Sequence, residues 1–175
     1  IHLLFPISSK YNCWRELAGA FFCVEGDTQA VEVFVPLLRG LGLQVQTISP
    51  ESKAQYHLSC ALASNFVCAL VQRSAELLSG CGFSETDALH ALAPLMRSNL
   101  AHVIEHGAVS ALTGPIERGD TQTVQKHLSC LTERDDRQLY ALLGLEQVKM
   151  AQEKHPEQDY GTLAALLNRE KEQKE

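Results

Sequence analysis

The 175-residue sequence predicts a mainly α protein, a helical domain preceded by a short α/β segment, on three observations. Beyond Glu51 apolar residues recur at helical spacing, between breaks that carry helix-ending glycines and N-capping Ser or Asp residues. Before Pro50 the chain holds three short apolar or alternating runs and a single helical one. No low-complexity linker separates the two regions. The division reads as residues 1–50 and 51–175, two parts expected to pack tightly.

The elements follow in order. "IHLLFPISS" is an apolar run that ends at Pro6 and reads as a buried strand followed by a loop. "GAFFCVEGD" reads as a second strand closed by Gly26, with Asp27 placed to cap the next helix. That helix, Thr28 to Leu41, sets Val31, Phe34, Val35 and Leu38 at helical spacing and ends at Gly40 and Gly42. "LQVQTIS" alternates and makes a third strand, stopped by Pro50. Strand, strand, helix, strand is the tail of an α/β domain more than a complete one. Glu51–Ser79 then reads as one long helix, ended by "SGCGF". Ser84 caps a helix that runs to Glu105 and closes at "HG", with Pro94 predicting a kink or break inside it. After "LTGPIERGD", Asp120 caps a helix over Thr121–Leu131, Asp135–Glu153 forms another, and Pro156 opens a last one through about Arg169.

Composition narrows the function classes. Hydrophobic residues at 45% and charged residues at 21% are those of a soluble globular protein. A net charge of −6 with scattered Lys and Arg leaves no basic stripe for nucleic acid. The one dense run, "NREKEQKE", is mixed in sign and reads as a solvated helix end. Six cysteines form no CxxC pair, which argues against a disulfide framework or zinc site and for a reducing, cytoplasmic compartment. Cys60, Cys68 and Cys130 sit in apolar helical contexts, where a thiol behaves as a small hydrophobe. No signal-peptide pattern opens the sequence. The charge-free stretch Ala54–Gln72 has the length of a membrane span, but His57, Ser59, Ser64, Asn65 and two glutamines make it read as the central helix of a soluble core.

Two constellations could carry chemistry. In "YHLSCALASN", His57 and Ser64 are seven residues apart and share a helix face with Cys60 and Ala61, while Asn65 lies one step round. Polar groups on an apolar helix must find partners, and each could equally be a satisfied structural residue. In "LTGPIERGD", Gly114 and Gly119 permit unusual backbone conformations, Pro115 stiffens the turn, and Thr113 and Asp120 can cap. That stretch is either a connector with good turn chemistry or a loop whose N–H groups and Thr113 face a pocket, with Arg118 as the cation for a carboxylate or phosphate. "RGD" is a chance tripeptide here, since Asp120 is placed as a cap. His102 and His106, four apart in "HVIEH", lack a third ligand and read as a surface pair rather than a metal site. There is no GxGxxG, Walker loop, HExxH or GxSxG.

Together "EGD" before a helix, "YHLSCALASNFVCAL", "ALTGPIERGDTQTVQKHL" and "LYALLGLEQVKMA" resemble a group of bacterial oxidoreductase-like proteins with an N-terminal Rossmann-like domain and a C-terminal helical domain of unknown function. These are related to pyrroline-5-carboxylate reductase, ketopantoate reductase and the 6-phosphogluconate dehydrogenase superfamily. The resemblance spans nearly the whole chain. It implies that residues 1–50 are the end of a Rossmann-like nucleotide-binding domain and residues 51–175 an all-helical substrate and dimerisation domain. The glycine-rich βα turn that holds NAD or NADP would lie ahead of residue 1 in a longer polypeptide. His57 would be the proton donor, Asn65 an orienting residue and Arg118 an anion clamp; Ser64, Thr113, Gly114 and Pro115 would line the substrate side, Pro6 and Ser8 the cofactor side. The family usually writes His-Pro at the first strand, whereas Phe5 precedes Pro6 here. The implied activity is NAD(P)-dependent oxidoreduction of a small carbonyl, imine or hydroxy acid by a homodimer. The alternative is a non-catalytic helical dimerisation or ligand-binding module.

Overall fold

Aromatic and β-branched residues mark two of the three short strands, "FFCV" and "QVQT", whereas the first is "HLL". In the computed structural model, which describes residues 1–7, 10–11, 14–17 and 19–172, β1 (His2–Leu4), β2 (Phe21–Val24) and β3 (Gln44–Thr47) form one sheet in that order. The chain is 68% helical, so the mainly α class holds. β1 runs antiparallel to β2 with His2 opposite Cys23, and β2 runs parallel to β3 with Val24 opposite Thr47. A parallel pair needs a crossover, supplied here by α1 (Thr28–Gly40). Asp27 starts that helix as expected, accepting the N–H groups of Gln29 at 2.9 Å and Ala30 at 3.4 Å.

Val35 packs from α1 onto Val24 and Val45, with Val31 and Leu38 a turn to either side. Phe34, expected with them, is instead exposed, because it falls beyond the edge of that stripe. The first strand also differs from expectation. It is not buried: β1 is an edge strand of three residues, and the core under α1 belongs to β2 and β3.

A short 3₁₀ turn, Pro50–Ser52, leads into α2 (Lys53–Ala63) and α3 (Asn65–Ser79). The single helix expected over Glu51–Ser79 is therefore two, broken at Ser64. Nor is it the centre of a core. Leu58, Leu62, Phe66, Val67 and Leu70 are 38–55% exposed, and within α3 only Ala75 is buried. The two helices pack chiefly on each other and on the turn before them, which leaves their outer sides exposed among the described residues. Among the described residues, Pro50–Ser79 is the one helical stretch long and apolar enough to cross a membrane. Cys68 and Cys130 lie on the outer sides of their helices and are exposed rather than packed, Cys60 is half-buried and Cys23 buried. Cys13 lies outside the described residues.

The chain divides into two compact units, residues 1–88 and 89–175, a packing boundary that falls elsewhere than the change of composition at Pro50. It lies within α4 (Glu85–His106), which is capped by Ser84 and runs unbroken through Pro94. A proline ring removes one ladder hydrogen bond, and the turns on either side hold the helix here without a break.

The second unit continues with α5 (Ala108–Ala111), α6 (Thr121–Cys130), α7 (Arg134–Lys154) and α8 (Gly161–Glu172). α7 presents Ala141, Gly144, Val148 and Ala151, all buried, at helical spacing. Small residues let α8 approach closely, and Leu163 and Leu167 fill the seam at 1% and 0% exposure. Each such leucine contributes about 1.5–3 kcal/mol by burial. Arg137 of α7 reaches Glu170 of α8 at 2.7 Å and donates to the Leu128 carbonyl at 2.6 Å, tying three helices at one point. Pro156 does not open the last helix. Residues 155–160 turn back to hold another loop, and α8 starts only after Asp159 accepts the Gly161 N–H at 2.7 Å.

Candidate functional site

The break at Ser64 is local chemistry. Ser64 has φ −126° and ψ −72°, and its N–H bonds the Ala61 carbonyl at 3.4 Å instead of continuing the α ladder to Cys60. Its hydroxyl donates to the Cys60 carbonyl at 2.7 Å, standing in for the backbone donor that has turned away. α3 consequently begins afresh at Asn65, with no side-chain cap on its first turn. The Asn65 carboxamide oxygen lies 3.3 Å from the Ser64 hydroxyl.

Helix start and strand end meet in an open cleft of about 370 Å³. His57, Cys60, Ala61, Ser64 and Asn65 line it from the helices, and all of residues 2–6 line it from β1 and the turn beyond. The cleft thus gathers four of the expected site residues: His57, Ser64, Asn65 and Pro6. Ser8 lies outside the described residues. Among the described residues no carboxylate, lysine or arginine lines this cleft, and its polar lining consists of two imidazoles, a hydroxyl, a carboxamide and a thiol.

Sequence reasoning missed two residues, His2 and Tyr56. The Tyr56 hydroxyl lies 2.7 Å from His2 Nδ1, and the rings meet edge to face with centroids 5.5 Å apart. Burial raises the Tyr56 phenol well above its ordinary value, and the neighbouring Cys60 and Cys23 thiols push the same way. The phenol therefore stays protonated. The available signal was the strand period, which puts His2 on the same face as Leu4 and Pro6.

The other expected residues belong to the second unit. Thr113 lines a separate cleft of about 300 Å³ with Asn99, Gln147 and Met150. Gly114 and Gly119 adopt φ +106° and +69°, so both glycines of "LTGPIERGD" are required by the backbone. The loop is held from inside the unit. Ile116 is buried in the core, Tyr160 donates to the Glu117 carbonyl at 2.6 Å, and Gln158 donates to the Arg118 carbonyl at 2.9 Å.

The N–H groups of Arg118, Gly119 and Asp120 bond to Gly114, Ile116 and Pro115 carbonyls, so these three do not face a pocket as the loop reading expected. Asp120 accepts the Thr123 hydroxyl at 2.7 Å and N–H at 3.0 Å, and the hydroxyl bond first, then the N–H, lowers its carboxyl below the ordinary value. Its role as a cap stands. The Arg118 side chain is exposed. His102 and His106 stack edge to face at 4.6 Å, and no metal-holding group of His, Cys, Asp or Glu occurs among the described residues.

A dinucleotide was implied for the polypeptide, and the fit can be tested at the βα turn present. Its residues, Glu25–Gly26–Asp27, carry one glycine, and the Asp27 carboxylate already takes the first N–H groups of α1. A pyrophosphate would meet that negative charge at the helix end it needs. These residues do not fit the group.

A family model described as a domain of unknown function, DUF2520, matches residues 20–147. The chain belongs to this family. The DUF2520 match runs from β2 into α7 and includes His57, Ser64, Asn65 and the whole of "LTGPIERGD". His2 and Pro6 fall ahead of it. Neither a curated protein nor a solved structure matches the chain.

Proposed function

We propose that this DUF2520 chain is the substrate-side part of an NAD(P)-dependent oxidoreductase acting on a small carbonyl, imine or hydroxy-acid metabolite. The observation that carries the reading is the cleft in which the end of β1 meets His57, Ser64 and Asn65. DUF2520 is a helical domain that often follows a Rossmann domain, and the reading assigns the dinucleotide to such a domain in the same polypeptide. This chain then supplies orientation and a proton, with Asn65 holding the substrate and His57 as donor. Arg118, exposed on the second unit, is assigned its anion-clamp role by the resemblance alone.

The reading includes a homodimer. Leu58, Leu62, Phe66, Val67 and Leu70 offer a half-exposed apolar face interrupted by His57 and Asn65, polar groups that lipid would leave short of partners. A second copy of the same face covers its apolar residues in an isologous contact.

The test is nucleotide binding and turnover by the full-length protein, with residues 1–175 alone as control. NADPH or NADH fluorescence that responds only to the long form, and turnover lost in Asn65→Ala and Arg118→Ala without loss of fold, are the expected results. A full-length protein that binds neither nucleotide overturns the enzyme and leaves a helical dimerisation or ligand-binding module. A monomer by light scattering removes the dimer.

A further inference from the structure

We propose that His2 is a substrate-binding residue of this cleft, fixed by Tyr56 as an Nε2–H donor for an oxygen of a small 2-oxo carboxylate. The inference rests on the reading of the cleft as a substrate site. It adds the residue that recognises the ligand and the ligand's class.

The direction of the Tyr56 proton follows from its neighbours. The hydroxyl has His2 Nδ1 at 2.7 Å, with the Cys23 and Cys60 thiols also close to it. An imidazole nitrogen is a far better acceptor than a thiol sulfur, and a thiol can still donate weakly to the phenolic oxygen. The phenolic hydrogen therefore goes to Nδ1. A neutral imidazole that accepts at Nδ1 carries its own hydrogen on Nε2. Tyr56 is thus a positioning residue: it selects the tautomer and holds the ring edge-on.

The ligand class follows from what lines the space. His2 Nε2–H, the imidazole of His57 and the carboxamide of Asn65 offer donors, and among the described residues no acidic side chain lines the space to take a cationic group. The Asn65 carboxamide makes one contact, to Ser64, among the described residues. A 2-oxo carboxylate presents several acceptor oxygens within a few ångströms, and the remaining wall, Leu3, Leu4 and Phe5, suits a short apolar tail.

The experiment is long-range ¹H–¹⁵N correlation on full-length protein labelled at histidine, with His2 assigned by its loss in His2→Gln. Pyruvate is the probe and ethylammonium the cationic control. The expected spectrum shows His2 protonated at Nε2, a mixture of tautomers in Tyr56→Phe, and a shift of His2 on addition of pyruvate only. His2→Ala should weaken pyruvate binding about tenfold or more, the loss of one hydrogen bond to a charged acceptor, and His2→Gln, whose amide reaches the Nε2 position, should restore most of it. A proton on Nδ1, or a tautomer ratio indifferent to Tyr56→Phe, overturns the positioning. A His2 signal that pyruvate leaves unmoved, or moves no more than ethylammonium does, overturns the ligand. None of these readouts needs turnover or nucleotide, so failure of NADPH to bind leaves them intact and sinks only the enzyme reading.

Discussion

Tyr160 donates its hydroxyl to the carbonyl of Glu117 across 43 residues of chain, at 2.6 Å, and is itself 1% exposed. The bond joins the turn before α8 to the loop before α6. A buried carbonyl that loses its donor is left unsatisfied, which costs about 1–3 kcal/mol. Tyr160→Phe keeps the ring in the core and should lower stability by that amount, measured by urea denaturation with an unchanged m-value. A change under about 0.5 kcal/mol would mean that water replaces the hydroxyl and that the loop does not depend on it.

Gly144 sits where α7 meets α8. A Cβ there would lie 3.1 Å from both Leu167 methyls and 3.2 Å from the Ile116 methyl. Alanine gains about 1 kcal/mol of helix propensity over glycine, but crowding in a packed core costs about 1–3 kcal/mol. Leu167 has no exposed surface into which to retreat. Gly144→Ala should therefore destabilise, by about 1 kcal/mol net, and a raised melting temperature would show that α8 can slide.

The Glu117 carboxylate holds His155 Nε2 at 2.8 Å and Lys154 at 3.4 Å, and the bond to His155, then that to Lys154, keeps its carboxyl below the ordinary value. A carboxyl lowered on folding stabilises the native state in full above the unfolded value, about 4.3. That contribution is lost as pH falls through the lower folded value. Melting temperature between pH 6 and pH 3 should consequently fall more steeply for the wild type than for Glu117→Gln. Parallel curves would place the acid sensitivity elsewhere.

Much of this was readable in the residues. Asp27, Ser84 and Asp120 each stand one residue before a helix and each caps it, because a short polar side chain reaches the orphan N–H groups whatever the tertiary surroundings. The break at Ser64 was not readable. A serine that bonds a preceding carbonyl can sit in a continuous helix or interrupt one, and only the neighbouring backbone decides. Exposure of Leu62 and Phe66 was hidden for a related reason: periodicity tells which residues are apolar, not whether anything covers them.

Of the cleft, His57, Ser64 and Asn65 could be paired by helix spacing alone. Their meeting with Pro6, and the approach of His2 to Tyr56 across 54 residues, depend on where a three-residue strand docks. No local pattern encodes that distance.

The uneven exposure of the thiols has a practical consequence. Cys68, Cys81 and Cys130 are open to reagent in the native state, whereas Cys23 lies in the middle strand at 4% exposure. Its alkylation must wait for β2 to lose a neighbour. The modification rate of that one sulfur, followed by peptide mass spectrometry, therefore times the opening of the sheet with no label introduced.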